Sequence, residues 1–466
     1  MKNSNFKYIV YGLGISGIAT AKFLTSQNFK VIATDDDPNT VEKFKKNSSL
    51  NLANLQVLKP DEISFDEESI ISFSPGIPLY YPKPHKILDI CKQTNAKLKC
   101  DIEIFYDLNY HQNNFIGITG TNGKSTTTAL TGFIFEQLEI NSAIGGNIGV
   151  ACFDLPQDTQ NFYYIFETSS YQLDLISNCK FNIACLTNIT IDHIDRHGTF
   201  ENYIQSKMRI FQNQTKDDYA IICVDNQQSK NVYHKLLNDK HPAFMIATSA
   251  NTILENGISV VKNEIFINLK NQYYNLKINP KIKGQHNQEN ISIALSTIVA
   301  YLIKTHQLNQ KNLEKIVDII NKFGGLRHRL QNIRSVNNIN FINDSKATNA
   351  ESTLHALKSY DNIYWILGGK AKEGGISILQ PYFSKIIKAY LIGESANDFA
   401  YFLKQNNVDF EISNTLEIAF KSSYQDALKN TSTEINIILS PACASFDQWK
   451  NFEARGDFFY KLVNEI

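Results

Sequence analysis

The sequence predicts an α/β protein of three consecutive domains, and three observations carry that prediction. Short apolar runs of strand length alternate with longer segments of helical periodicity along most of the chain. The 466 residues suit two to four domains, at roughly 100–200 residues each. Glycine is scarce, 22 in all, against an average of about 7%, yet it gathers behind the apolar runs. Fifteen of the 22 fall in five clusters: Gly12/14/17, Gly117/120/123, Gly145/146/149, Gly324/325 and Gly368/369/374/375. Glycine spent this selectively marks backbone that approaches a ligand or turns at positive φ.

In chain order, Lys7–Tyr11 reads as a strand, Ile18–Gln27 as a helix and Val31–Ala33 as a second strand. Strand Ile70–Phe73 ends at Ser74-Pro75-Gly76, and Tyr81-Pro82-Lys83-Pro84 is a turn or extended linker. The next domain begins with strand Phe115–Thr119 and helix Ser125–Leu138, then strands Tyr163–Phe166, Ile183–Leu186 and Tyr219–Val224. Residues 250–283 alternate like β-hairpins, and a long apolar helix follows Gly284. The last domain has strands Asn340–Ile342, Ile363–Leu367, Ala389–Ile392 and Ile435–Leu439 with helices between them. The boundaries are set at 1–102, 103–325 and 326–466, with Gly324-Gly325 as a hinge. The first and last domains are expected to be Rossmann-like and the middle one a P-loop ATPase-like α/β domain.

Lys and Arg number 46 and Asp and Glu 46, which removes the electrostatic case for a nucleic-acid or anionic-membrane partner. No apolar run approaches the roughly 20 residues a bilayer requires. The start of the chain shows no export signal, so a cytoplasmic location is expected. Seven cysteines form no CxxC pair and read as free thiols.

Ligands of open α/β sheets bind beyond the carboxyl ends of the strands. Gly12-Leu13-Gly14-Ile15-Ser16-Gly17 is a literal GxGxxG, with Asp35 behind the next strand. Taken alone it fits an NAD(P) site, another nucleotide diphosphate or a tight turn. Gly117-Ile-Thr-Gly120-Thr121-Asn122-Gly123-Lys124-Ser125-Thr126 is a variant P-loop, with Ile118 where a strict Walker A has glycine. Lys124 would reach the β/γ-phosphates and Ser125 would ligate Mg²⁺. Glu167, ending the neighbouring apolar strand, stands where a Walker-B-type Mg²⁺ ligand belongs. Asp192, His193, Asp195 and His197 lack the HExxH pattern of a hydrolytic zinc site. In the helix Glu201–Gln212 an apolar stripe of Ile204, Met208 and Phe211 leaves Lys207 at its edge. It is either a snorkelling lysine or a partly desolvated amine of lowered pKa. Three strand-end loops of the last domain, at Asn343–Asn349, Gly368–Gly375 and Ser440–Asp447, should converge on one sheet edge. Arg327, Arg329 and Arg334 lie within eight residues in a chain of six arginines, and an arginine there could stabilise a transferring phosphoryl. Cys443 reads as a small buried residue rather than a nucleophile.

Taken together, Gly120–Ser125, Gly145–Gly149, Glu167-Thr-Ser-Ser170 and Asp192-His193 resemble the ATP-dependent Mur ligases of peptidoglycan synthesis. Gly284-Gln-His-Asn287-Gln-Glu-Asn290 is similar to that family's adenine-side GxHNxxN element. Leu326–Arg329, Asn343–Asn349 and Ser440–Gln448, continuing to Phe452, resemble the branch that adds D-glutamate. The resemblance covers essentially the whole chain, and it implies ATP-driven joining of D-glutamate to UDP-N-acetylmuramoyl-L-alanine through an acyl phosphate, by a cytoplasmic monomer.

The same resemblance implies the site residues. Lys124, His193, Lys207 and Lys346 would be catalytic. Gly120, Thr121, Asn122, Gly123, Lys124, Ser125, Thr126, Asn287, Asn290, Arg329 and Asp344 would bind ATP. Gly14, Ile15, Ser16, Asp35, Ser74, Gly76 and Asn147 would hold the UDP-sugar, with Asn147 reaching the phosphate or metal side. Thr348, Lys372, Ser445 and Phe452 would hold D-glutamate, register favouring Lys372 over Lys370. Ser125, Glu167, His193 and Lys207 would serve two Mg²⁺ ions, with a CO₂-derived carbamate on Lys207. The rival classes are another amide ligase of the Mur/folylpolyglutamate group, an NAD(P)-dependent oxidoreductase and a nucleotide-sensing regulator.

Overall fold

Each α/β segment builds a sheet of its own. The computed structural model describes residues 6–47, 54–147, 150–157, 159–371 and 375–466. The first sheet has β1 (Lys7–Tyr11), β2 (Lys30–Thr34), β3 (Leu55–Val57), β4 (Ser69–Phe73) and β5 (Lys97–Lys99). Its order is β3-β2-β1-β4-β5, parallel throughout. Ile9, Val10, Tyr11, Ile71 and Phe73 are buried, as strands covered on both faces require. The strand order reverses between β1 and β4, so Gly12–Gly17 and Ser74–Gly76 flank the crevice where such folds bind ligands. Helix Ile15–Ser26 starts close under this edge because residue 17 is glycine: a Cβ there would lie 1.9 Å from the Gly12 carbonyl oxygen.

The second sheet comprises β6 (Asn114–Thr119), β7 (Ser142–Gly146), β8 (Tyr163–Glu167), β9 (Ile183–Leu186), β10 (Tyr219–Cys223), β11 (Phe244–Ser249), β12 (Gly257–Val261), β13 (Glu264–Leu269) and β14 (Gln272–Lys277). Its order is β14-β13-β12-β11-β10-β9-β6-β8-β7. The strands from β7 to β12 are parallel, and β12–β14 form the antiparallel meander expected of residues 250–283. Helix Gln285–Lys304 packs on helix Lys124–Gln137 and on the sheet, burying Ile291, Ile293, Ala294, Leu295 and Ile298.

The third sheet holds β15 (Gln331–Val336), β16 (Ile339–Asn343), β17 (Ile363–Gly368), β18 (Ile386–Ile392), β19 (Phe410–Asn414) and β20 (Ile435–Leu439). Its order is β15-β16-β20-β17-β18-β19, parallel except for β15. By compactness the chain divides into two units. Met1–Ile278 with Gln285–Ile320 carries the first two sheets, and Asn279–Gly284 with Asn321–Ile466 carries the third.

Beside β11, β15 and β19, which the sequence does not single out either, three missed strands and one helix end have local causes. β3 and β5 are three residues long, and β5 (Lys-Leu-Lys) has one apolar residue. β7 ends on Gly145 and Gly146, which read as loop but close the edge of the sheet beside β8. The helix read as Glu201–Gln212 ends at Met208, and Arg209–Phe211 tightens into a single 3₁₀ turn. Six of the cysteines are buried and Cys91 is half-buried, all as free thiols. Among the described residues no helix is long and apolar enough to cross a membrane.

Candidate active site

The P-loop leaves β6 and is held by the loop beyond β9. The Thr121 N–H donates to the Asn188 carbonyl (2.8 Å) and the Asn122 N–H to Asn188 Oδ1 (2.9 Å), while Thr187 Oγ1 donates to the Asn122 carbonyl (2.6 Å). Gly120 and Gly123 adopt φ of +150° and +82°. A Cβ on Gly123 would lie 2.3 Å from Asn290 Oδ1, an atom that also accepts from Thr127 Oγ1. Asn290 Nδ2 in turn donates to Asn287 Oδ1 (3.1 Å), so both buried asparagines of helix Gln285–Lys304 brace the start of the P-loop helix. Gly123→Ala should therefore strain the loop twice, in φ and in contact. We expect ATP affinity to fall at least tenfold, read by calorimetric titration, at a stability cost of about 1–3 kcal/mol.

Lys124 Nζ donates to the carbonyls of Gly120 (3.0 Å) and Thr121 (2.8 Å), folded back along the loop. A second lysine reaches the same oxygen: Lys207 Nζ donates to the Gly120 carbonyl at 2.7 Å and lies 4.6 Å over the Tyr203 ring. Lys207 is 1% exposed, which excludes snorkelling. Burial first, and then the Lys124 ammonium, drive its amine well below the ordinary lysine value, against the pull of Asp192 and Glu167.

Glu167 is 2% exposed at the end of β8. Its Oε1 accepts from Asn147 Nδ2 (2.7 Å), whereas its buried Oε2 has no hydrogen-bond partner among the described residues. A buried carboxylate oxygen left in this state fits a cation, because an uncompensated buried charge is otherwise expensive. Ser125 and Thr126 are buried at the start of the P-loop helix. His193, at φ +53°, is half-exposed beside Asp192; burial pulls its imidazole down, against the Asp192 carboxylate and with the Lys124 ammonium adding to it. Among the described residues no three Asp, Glu, His or Cys side chains gather into a metal cluster. A cation here would thus rely on Glu167, the Ser125 hydroxyl and phosphate oxygens.

Lys124, His193 and Lys207 line a cavity of about 330 Å³ with Pro75, Gly76, Asn147, Ser169, Ser170, Tyr171, Arg196 and Tyr203. Arg196, which the sequence does not single out, also lines this cavity. Its guanidinium donates to the carbonyls of Pro75 (3.0 Å), Gly76 (3.4 Å) and Ile77 (3.0 Å) and lies 4.2 Å over the Tyr171 ring. The β4-end loop is thereby pinned to the rim of the P-loop cavity. The signal available was an arginine beside Asp195 in an arginine-poor chain, and nothing local aimed it at Pro75.

At the other glycine loop, Gly14 has open space around it and Ile15 is 80% exposed, an accessible helix N-terminus with Ser16. Asp35 accepts from the Leu13 N–H (2.7 Å) and the Asp37 N–H (2.9 Å), so it braces the loop itself. Ser74 packs where a Cβ on Gly12 would fall. Asn147 stands apart from this group, on Glu167.

In the other unit, the loops after β16, β17 and β20 lie on one edge of the sheet, as expected. Lys370 and Ala444 pair backbone to backbone, and Ser440 Oγ donates to Asp344 Oδ2 (2.6 Å). Lys346 Nζ lies 5.7 Å over the Phe452 ring. The Thr348 N–H donates to the Lys346 carbonyl, and Ser445 is buried nearby in the chain from Cys443. Arg329 precedes β15 in the loop whose Leu330 N–H donates to Asp344 Oδ1. Burial pushes the Cys443 thiol up to about 11, which suits a packing role. Lys372, Gly374, Ile148 and Gly149 lie outside the described residues.

Burial pushes the Asp344 carboxyl up to about 7, despite hydrogen bonds from Ser440 and Leu330. The unfolded chain ionises this group near 3.8. Between those values unfolding releases a proton, so the group costs stability as pH rises through that window. Asp344→Asn should raise the melting temperature at pH 8, at about 2–4 °C per kcal/mol, and leave it unchanged at pH 3. Thermal melts at the two pH values check this.

Comparison with known proteins agrees with the geometry. A model of the Mur ligase MurD-like N-terminal domain matches residues 6–92, and one of the Mur ligase middle domain matches residues 118–298. The chain is 40% identical over 458 residues to the UDP-N-acetylmuramoylalanine–D-glutamate ligase of Rickettsia bellii (98% of this chain, 97% of the relative). It is 37% identical over 473 residues to the protein of that name from Bartonella henselae (99% and 97%). A UDP-N-acetylmuramoyl-L-alanyl-D-glutamate–2,6-diaminopimelate ligase shares the fold with a TM-score of 0.57 at 16% identity (98% and 92%). So does the UDP-N-acetylmuramate–alanine ligase of Thermotoga maritima, at 0.55 and 13% (99% and 99%). With a P-loop beside a buried acidic strand end, and relatives of this identity over nearly its full length, the chain belongs to the Mur ligase family, in the branch of the UDP-N-acetylmuramoylalanine–D-glutamate ligases.

Proposed function

We propose that the protein joins D-glutamate to UDP-N-acetylmuramoyl-L-alanine at the expense of ATP, releasing ADP and phosphate. The observation that carries the chemistry is the shared cavity lined by Lys124, Lys207, His193, Asn147 and the pinned Pro75-Gly76 loop. A carboxylate is a poor electrophile, so its activation comes first. An oxygen of the L-alanyl carboxylate attacks the γ-phosphorus of ATP, the bond to ADP breaks, and an acyl phosphate forms. Lys124 exchanges the loop carbonyls for phosphate oxygens and holds the transferring charge. Mg²⁺ held by Glu167 and Ser125 would neutralise phosphate charge. The amine of D-glutamate then attacks the carbonyl carbon and phosphate leaves. Enclosure of the reacting carbonyl keeps water from taking the amine's place.

Lys207 supports a carbamate: its depressed basicity leaves the free amine that adds CO₂ with loss of a proton. The anion so formed would relieve the repulsion from Lys124 and, with His193, supply a second cation site. Asn287, Asn290, Arg329 and Asp344 are proposed for the nucleotide, and Lys346 for the acyl phosphate. Gly14, Ile15, Ser16, Asp35, Ser74 and Gly76 are proposed for the UDP-sugar. Thr348, Lys372, Ser445 and Phe452 are proposed for D-glutamate. The experiment is phosphate release with UDP-N-acetylmuramoyl-L-alanine against a panel of amino acids. Release should require D-glutamate; release indifferent to it, or preferring L-lysine or diaminopimelate, refutes the reading.

A further inference from the structure

Behind the cavity lies a second, larger opening of about 620 Å³, lined by Tyr80, Tyr81, Asp174, His197, Ser206 and Arg209 among others. The wall between the two holds three groups that the reaction above leaves unused. Ser170 lines the cavity and its Oγ is 2.9 Å from His197 Nε2. His197 Nδ1 is 3.5 Å from Asp174 Oδ2, and both residues line the outer opening. That separation is longer than a formed hydrogen bond, and contacts of this kind tighten in the substrate complex.

The wall is rigid. Ser206 Oγ donates to the Ser170 carbonyl (2.6 Å), and Asn202 Nδ2 donates to the His197 carbonyl (2.9 Å). The His197 ring stacks on Tyr171 at 5.4 Å and 16° and packs against Tyr203 at 5.3 Å, and it is 5% exposed. Burial, first of all, pulls the His197 imidazole down, with Arg196 adding to it and Asp195 opposing. Burial raises Asp174 to about 6, against the neighbouring Ser206 hydroxyl and the charge of Arg209. Near pH 8 the imidazole is therefore neutral and the carboxylate ionised, the starting state in which Nε2 accepts from Ser170 and Nδ1–H faces Asp174.

We propose that Ser170, His197 and Asp174 form a proton relay that takes the proton the attacking amine must lose and delivers it to the outer opening. This rests on the ligase reading, in which D-glutamate arrives as an ammonium whose nitrogen has no lone pair. In the step, an ammonium N–H bond breaks and its proton passes to Ser170 Oγ. The Ser170 proton passes to His197 Nε2, and the Nδ1 proton passes to the Asp174 carboxylate. The lone pair left on nitrogen forms the bond to the acyl carbon. Asp174 then releases its proton to water in the outer opening. Ser170 is the group that touches substrate; His197 and Asp174 act through it.

The test uses His197→Gln, whose amide can still hydrogen-bond Ser170 but cannot take up and pass on a proton, and Asp174→Asn as a second, nearly isosteric variant. Acyl phosphate formed without D-glutamate is trapped by borohydride reduction. Turnover is then measured with D-glutamate and with hydroxylamine, an amine largely unprotonated at neutral pH. We expect trapped acyl phosphate at the wild-type rate, D-glutamate turnover reduced tenfold or more with KM nearly unchanged, and hydroxylamine turnover within twofold of wild type. D-glutamate turnover within threefold of wild type in both variants overturns the relay. So does an equal loss of all three readouts, which marks a structural role. Failure of the unsubstituted protein to yield acyl phosphate overturns the ligase reading instead.

Discussion

Lys124→Ala should lower ATP-dependent phosphate release by roughly 10³-fold, the scale on which a charged group at a transferring phosphoryl acts. The side chain now donates to two carbonyls of its own loop, Gly120 and Thr121. The Gly120 carbonyl keeps Lys207 Nζ as a donor, so the loss should fall on kcat and leave the melting temperature within a few degrees of wild type. A steady-state assay paired with a thermal melt separates the two. An unchanged rate would remove the P-loop from the chemistry.

Lys207→Ala should be nearly as severe, at about 10²–10³-fold, and chemically more informative. A lysine this deeply buried beside another ammonium is costly to keep charged. Truncation should therefore spare stability while removing the anion its carbamate would supply. Formate or acetate, able to occupy the vacated space as an anion, should restore a measurable part of the rate. Activity equal to wild type refutes the carbamate. Loss that no short carboxylate restores limits Lys207 to its contact with the Gly120 carbonyl.

Both lysines were named from the sequence, yet the reasons they matter are tertiary. The P-loop and Glu167 were legible because strand, glycines, lysine and the acidic strand end are contiguous, and local chemistry dictates local structure there. Lys207 was ambiguous because helical spacing locates a residue at the edge of a stripe without telling what packs over that edge. Tyr203 and the Gly120 carbonyl decide it, the latter 87 residues away. Asp35 was nameable from its place behind β2, whereas the hydrogen bonds it accepts from the Leu13 and Asp37 N–H groups are tertiary and local turn contacts that spacing does not show. The strands rich in Ile, Val, Phe and Tyr were readable from composition. β5 and β7 were not, since their residues are ordinary loop residues that pairing with β4 and β8 draws into a sheet.

The Arg196 bridge to Pro75, Gly76 and Ile77 carries a thermodynamic consequence. One guanidinium is bonded to the loop beside the crevice proposed for the nucleotide sugar, and it also lines the cavity proposed for ATP chemistry. A ligand that shifts the loop must then favour one placement of that guanidinium over another, and the two binding free energies cease to be independent. Linkage makes the coupling reciprocal: whatever factor the sugar nucleotide imposes on the affinity for ATP, ATP imposes on the sugar nucleotide. Arg196→Ala should bring that factor close to one, measured as the Kd of each ligand with and without the other. The pinned loop would then act less as a wall of the site than as its messenger, reporting to one pocket that the other is filled.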